Sequence, residues 1–233
     1  MEKPAYEEYA GKPKDARREA ISSSGALDRK RFLLSASPEW KERIRKLQDI
    51  VYELKKEHPE AISLSLFGSL TKGYANEKSD VDAYLNVDNS SVNIPAGKRV
   101  SNAFFLAGLI GDKLREEFNL SEEQVGHIIP ALWSKKTLKE DLKDSTYNVN
   151  VVRKLFLLSV GANINEYRKI VFDELEAKGI DGDLVWISIM DELANFENSG
   201  LPGNAQQKRR LLYPKTLAEG RKYFLQESKE GIS

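Results

Sequence analysis

The sequence predicts an α/β fold over its first half and a helical second half, and three observations carry that expectation. Apolar residues alternate at period two over 61–67 and again over 81–87, the spacing of strands. Around these segments apolar residues recur at three- and four-residue steps, the spacing of one helix face. Beyond about Leu138 only the helical spacing remains.

In chain order, residues 1 to about 30 are rich in Lys, Glu, Ala, Ser and Gly with few large apolar side chains, which predicts a loosely held arm. Ser37-Pro38-Glu39 then reads as a helix start, with a Ser cap, Pro at the first helical position and an acid in the first turn. Trp40, Ile44, Leu47, Val51 and Leu54 form one apolar stripe along a helix that ends near His58-Pro59. His58, at that end, is favoured by the helix dipole.

Ala61–Phe67 alternates apolar with small polar residues, predicting a strand buried on one face and ended by Gly68-Ser69. Val81, Ala83, Leu85 and Val87 predict a second strand. Its alternation puts Asp80 and Asp82 together on the opposite face. After Asn89-Ser90-Ser91, the residues Ala103, Leu106, Ile110, Leu114 and Phe118 fit one helix face, and Val125–Leu132 is the candidate third strand.

Helical spacing then links Val151, Leu155 and Leu158, next Tyr167, Ile170 and Leu175, and finally Trp186, Ile189, Leu193 and Phe196. A Gly/Pro break at 198–204 precedes Lys208-Arg209-Arg210, read as a solvated basic surface, and one last helix near Thr216 to Gln226. The expected division is an arm over 1–37, a core over 38–138 and a helical domain over 139–233.

Composition narrows the function classes. A chain of 233 residues can bury a core without disulfide or metal staples. It has no cysteine, which removes disulfides, thiolate metal sites and thiol nucleophiles and fits a reducing cytoplasm. Lys+Arg and Asp+Glu each total 36, and that balance disfavours long nucleic acid, whose binders carry a basic excess or face. No apolar run approaches the roughly 20 residues that cross a bilayer, and the start lacks the apolar segment of a secretory signal. The expectation is a cytoplasmic protein with no membrane partner.

Chemistry concentrates in Phe67-Gly68-Ser69-Leu70-Thr71-Lys72-Gly73-Tyr74-Ala75-Asn76-Glu77-Lys78-Ser79-Asp80-Val81-Asp82. Two aspartates at i and i+2 on one strand face offer neighbouring oxygen ligands of the kind Mg²⁺ takes. A Gly-Ser turn at a strand end lets backbone N–H groups approach a phosphate without side-chain obstruction. A Walker A loop is disfavoured, because Tyr74-Ala75 stands where Lys and Ser or Thr are required.

This block resembles the signature of the nucleotidyltransferase superfamily that includes DNA polymerase beta, particularly its small bacterial and archaeal members. Gly68, Ser69, Lys72, Gly73, Ala75, Ser79, Asp80 and Asp82 fall in that register. The resemblance implies a nucleotidyltransferase core with a small mixed β-sheet, followed by a C-terminal helical domain. It implies that Asp80 and Asp82 bind Mg²⁺ or Mn²⁺ and are catalytic. It also implies that Gly68, Ser69, Lys72, Gly73 and Ser79 form the nucleotide-binding side, with Ser69 and the Gly68 backbone on the outer phosphates.

One departure stands out. The family takes a third carboxylate from the next core strand, whereas the candidate strand here contains no acid. His127 occupies roughly that place and is carried as a catalytic candidate, and Glu123 lies just before it. Either could substitute, or the strand register could differ. A lone histidine is more often a packed or half-exposed one than a catalytic base.

The function so implied is metal-dependent transfer of a nucleoside monophosphate, AMP from ATP in the first instance, to a hydroxyl of a small-molecule, protein or RNA acceptor with release of pyrophosphate. The alternative is a weak or inactive nucleotide-binding module, or an antitoxin-type interaction protein. The sequence does not set the oligomeric state.

Overall fold

The computed structural model describes residue 16 and residues 38–68, 70, 79–125, 127–144, 154–155, 157–161 and 164–179. The expected arm, save residue 16, and the expected helices around Trp186–Phe196 and Thr216–Gln226 lie outside the described residues. What is described is a mixed α/β unit around a four-stranded sheet.

The first helix, α1, spans Pro38–Glu57 and closes with Lys55 and Lys56 in its last turn, where cations meet the negative end of the helix dipole. Its stripe forms as the spacing predicts, with Ile44, Leu47, Val51 and Leu54 buried. Each such side chain contributes about 1.5–3 kcal/mol on leaving water. The His58 N–H donates to the Leu54 carbonyl and the Ala61 N–H to the His58 carbonyl, turning the chain directly into β1, Ala61–Phe67.

Strand β1 pairs antiparallel with β2, Asp82–Asp88, placing Phe67 opposite Asp82 and Ser65 opposite Tyr84. Helix α2, Arg99–Phe118, carries the chain across to β3, Ile128–Trp133, which lies parallel to β2. A helical crossover is what a parallel neighbour requires. Helix α3, Lys135–Asp144, follows. Strand β4, Leu158–Gly161, returns antiparallel to the other side of β1, and α4, Ile164–Ala177, comes after it. The sheet order is β3-β2-β1-β4.

One face of the sheet is apolar. Leu64, Leu66, Ala83, Leu85 and Val87 pack there against α1 and α2 through residues such as Leu47, Val51, Leu106 and Ile110. The other face is polar, and here the structure corrects the reading of β1. Ser63 and Ser65 are fully buried, so β1 is covered on both sides rather than one.

The cover comes from residues 154, 155 and 157, and hydrogen bonds make it tolerable. The Ser65 hydroxyl donates to the Lys154 carbonyl at 2.5 Å, and Asn86 Nδ2 donates to Ser63 Oγ and Ser65 Oγ at 3.0 and 2.8 Å. Trp133 Nε1 donates to Asn86 Oδ1 at 2.7 Å. Arg168 of α4, almost fully buried, donates to the carbonyls of Leu155 and Leu157 at 2.6 and 2.9 Å. Buried polar groups persist when they are paired in this way.

Two further expectations are corrected. Leu158 begins a strand, not a continuation of helical spacing from Val151, because pairing with β1 from Leu66 to Ser63 satisfies its backbone. The sheet therefore draws on residues beyond 138. The third strand starts at Ile128, not Val125. Ser121 and Gln124 form a reciprocal capping box that winds Glu122–Gln124 into a single 3₁₀ turn, using the backbone groups a strand would need.

Candidate metal centre

Three elements converge at one end of the polar face. The antiparallel register of β1 and β2 sets the end of one strand beside the start of the other, Phe67 against Asp82. The parallel register of β2 and β3 brings the residue before β3 to the same place, and the Ala83 N–H donates to the His127 carbonyl at 3.3 Å. Asp80 stands two residues before Asp82, just ahead of the strand.

The side chains meet. His127 Nδ1 lies 3.0 Å from Asp82 Oδ1 and 3.3 Å from Asp80 Oδ2. One donor atom from each of Asp80, Asp82 and His127 fits within 4.8 Å of the other two. Two carboxylate oxygens and an imidazole nitrogen converging at this range make a donor set that could hold a divalent cation. The group is open to solvent on the His127 side, whose side chain is 57% exposed against 19% for Asp82.

Gly68 completes the corner. Its φ is +73°, a left-handed conformation, and a Cβ built there would lie 2.9 Å from the Asp82 carboxyl carbon and overlap its oxygen. Only glycine, lacking that atom, lets the turn pass so close to the carboxylate. The turn that ends β1 and the acid that begins β2 are thus in direct contact.

Arg43 supports the pair from behind. It is buried in α1, and its Nη2 donates to the Ser79 carbonyl at 2.9 Å, one residue before Asp80. The guanidinium lies over the Phe118 ring at 5.1 Å. Burial lowers its pKa, and the nearby Asp80 charge works against that shift. Arginine keeps its charge under such burial.

Further along the same face is a second cation. Tyr84, two residues on from Asp82, packs against Phe67 with ring centroids 4.9 Å apart. The Lys154 ammonium lies over the Tyr84 and Trp133 rings at 6.0 and 5.8 Å. Burial lowers its pKa.

Of the residues singled out from sequence, Asp80, Asp82, His127 and Gly68 come together. Ser79 joins through its carbonyl on Arg43. Glu123 stays exposed in the preceding turn and is not in the group. Ser69, Lys72 and Gly73, together with Lys208, Arg209 and Arg210, lie outside the described residues.

Arg43, Lys154 and Arg168 were not among the candidates. Arg43 had a signal, since it lies four residues before Leu47, inside the register of the apolar stripe. Arg168 had the same signal, three, four and seven residues before Val171, Phe172 and Leu175. Lys154 had none. Comparison with protein-family models, curated proteins and solved structures finds no match to this chain. Among the described residues, no helix is long and apolar enough to cross a membrane.

Proposed function

We propose that this chain is a divalent-metal-dependent nucleotidyltransferase that moves a nucleoside monophosphate, AMP from ATP in the first instance, onto an acceptor hydroxyl. The observation that carries the reading is the contact between the Gly68 turn and a convergent Asp80–Asp82–His127 group. The resemblance of Phe67–Asp82 to the polymerase-beta type signature predicts this juxtaposition, and the α/β unit around it accords with a nucleotidyltransferase core.

In this reading the acceptor oxygen attacks the α-phosphorus, the bond from that phosphorus to the bridging oxygen breaks, and pyrophosphate leaves. The hydroxyl proton passes to a carboxylate or imidazole facing it. A cation held by Asp80, Asp82 and His127, Mg²⁺ or Mn²⁺, supplies the positive charge that acidifies the hydroxyl and offsets charge on the phosphates. The Gly68 turn presents backbone rather than side chain to the outer phosphates, with Ser69, Lys72, Gly73 and Ser79 as their further expected contacts.

Arg43 keeps Ser79 and Asp80 in place. Lys154 offers a second positive charge on the same sheet face as Asp82, suited to an anionic substrate.

A second reading has one observation in its favour. The third corner is an imidazole rather than a carboxylate, which suits a module that binds nucleotide without turning it over. The two separate on incubation with each of the four nucleoside triphosphates, Mg²⁺ or Mn²⁺, and cell extract. Pyrophosphate release and a nucleotide mass gained by an acceptor, both lost in Asp80→Asn and Asp82→Asn, support the enzyme. Nucleotide binding with no release from any mixture supports the module.

A further inference from the structure

We infer that the Asp80–Asp82–His127 corner selects a transition-series divalent cation, binding Mn²⁺ in preference to Mg²⁺. This rests on the reading of the corner as a cation site, and on nothing about which group is transferred.

The donor set carries the argument. Mg²⁺ is small and hard, gives up its water reluctantly and takes oxygen ligands in a near-octahedral shell. An all-carboxylate corner serves it well. Here one of three converging donors is a nitrogen, His127 Nδ1, at 3.0 and 3.3 Å from the two carboxylates. Imidazole is a softer donor that transition ions accept more readily than Mg²⁺ does, and affinity at a mixed nitrogen and oxygen site rises along the series from Mn²⁺. Carboxylates from Asp80 and Asp82 keep the site hard enough for Mn²⁺.

The imidazole is not there by chance of a flexible surface. Its residue immediately precedes β3, whose parallel pairing with β2 runs from Ile128 opposite Ala83, and its own carbonyl accepts from the Ala83 N–H. The β2–β3 register that seats Asp82 therefore seats His127. On the opposite side Gly68, which lacks a Cβ, passes directly against the Asp82 carboxylate without displacing it. The exposed side of His127 leaves room for water or substrate to fill the remaining coordination positions.

The test is competition between the metals themselves on the full chain, reading free Mn²⁺ by electron paramagnetic resonance as Mg²⁺ is added. The expected result is at least about tenfold tighter binding of Mn²⁺ than Mg²⁺. His127→Asp, which makes all three donors oxygen, should narrow that ratio by drawing Mg²⁺ in. His127→Ala should weaken Mn²⁺ by about tenfold or more and leave Mg²⁺ little changed. Circular dichroism checks that both variants fold.

Equal affinity for the two ions, or a ratio unmoved by either substitution in a folded variant, overturns the preference while leaving a cation-dependent transferase standing. No binding of either ion overturns both. Manganese preference without pyrophosphate release leaves the inference in place and counts against the transferase alone.

Discussion

Gly68 and Asp82 touch across the end of the β1–β2 pair, and the space between them has no room for a methyl group. Gly68→Ala would put its Cβ 2.9 Å from the Asp82 carboxyl carbon, on a backbone at φ +73°. The left-handed conformation alone costs an L-residue about 1–2 kcal/mol. The larger effect falls on the site, because Asp82 must turn away from His127. We expect a stability loss of about that size by denaturant titration, and a fall in cation affinity of roughly tenfold or more by calorimetry. Unchanged affinity in a folded Gly68→Ala protein would separate the turn from the site.

Removing either acid should be silent for the fold and severe for the chemistry. Asp80 and Asp82 are partly exposed, so Asn at either position leaves no buried cavity. Calorimetric Mn²⁺ uptake should fall by at least about tenfold in each variant, with thermal midpoints within a few degrees of the parent. A variant that keeps full uptake would exclude that acid as a ligand.

Asn86 is where stability concentrates on the polar face. Its amide donates to Ser63 and Ser65 and accepts from Trp133, and its side chain is fully buried. Asn86→Ala strands the Trp133 N–H and the Ser63 oxygen, while Ser65 keeps the Lys154 carbonyl and the Ser159 hydroxyl. Each unpaired buried group costs about 1–3 kcal/mol, so denaturant titration should give a loss of about 2–6 kcal/mol in all. Asn86→Asp, which keeps acceptors and loses the donors, should cost as much or more.

Alkaline pH should act through Tyr167. Its hydroxyl donates to the Asp88 carboxylate. Burial first, and then the bond to that carboxylate, raise its pKa above the ordinary 10.0. The folded form thus holds its proton more tightly than the unfolded form. The stabilisation is whole below pH 10 and is lost as pH climbs toward the folded value, because only the unfolded tyrosine ionises. Tyr167→Phe should cost about 1.5–3 kcal/mol at neutral pH and flatten the decline above pH 10, as read by denaturant titrations at a series of pH values. A decline of the same slope in the variant would assign it to other groups.

The elements easiest to read from sequence were those whose period matches their burial. The Ile44 to Leu54 stripe and the alternating Val81, Ala83, Leu85 and Val87 are buried as their periods predict, while the other face of β2 is covered too at Asn86 and Asp88. Ser63 and Ser65 misled for the same reason. Small polar residues in alternation imply a solvated face, and the return of the chain at 154, 155 and 157–161 covers them. No local pattern announces that return, since β4 is four residues long and draws its pairing from β1.

β3 starts at Ile128, after the apolar run has begun, because a capping box at Ser121 and Gln124 competes with extended pairing. At the site, the acids and Gly68 were legible because motif spacing and strand period agree. His127 was legible only as a position, and its contact with both acids depends on the parallel register of β2 and β3. Arg43 and Arg168 fall on buried faces of their helices, where their charge is met by backbone carbonyls that no local sequence pattern announces.

In the proposed function Asp80, Asp82 and His127 hold one cation beside the Gly68 turn, and a triphosphate docks at that turn. Crystals grown with Mn²⁺ and a non-hydrolysable nucleoside triphosphate, measured at the manganese edge, test it most directly. An anomalous peak is expected within bonding distance of all three side chains, with the phosphate tail running to Gly68. A peak elsewhere, or a nucleotide bound away from that turn with no ion at the acids, would contradict it.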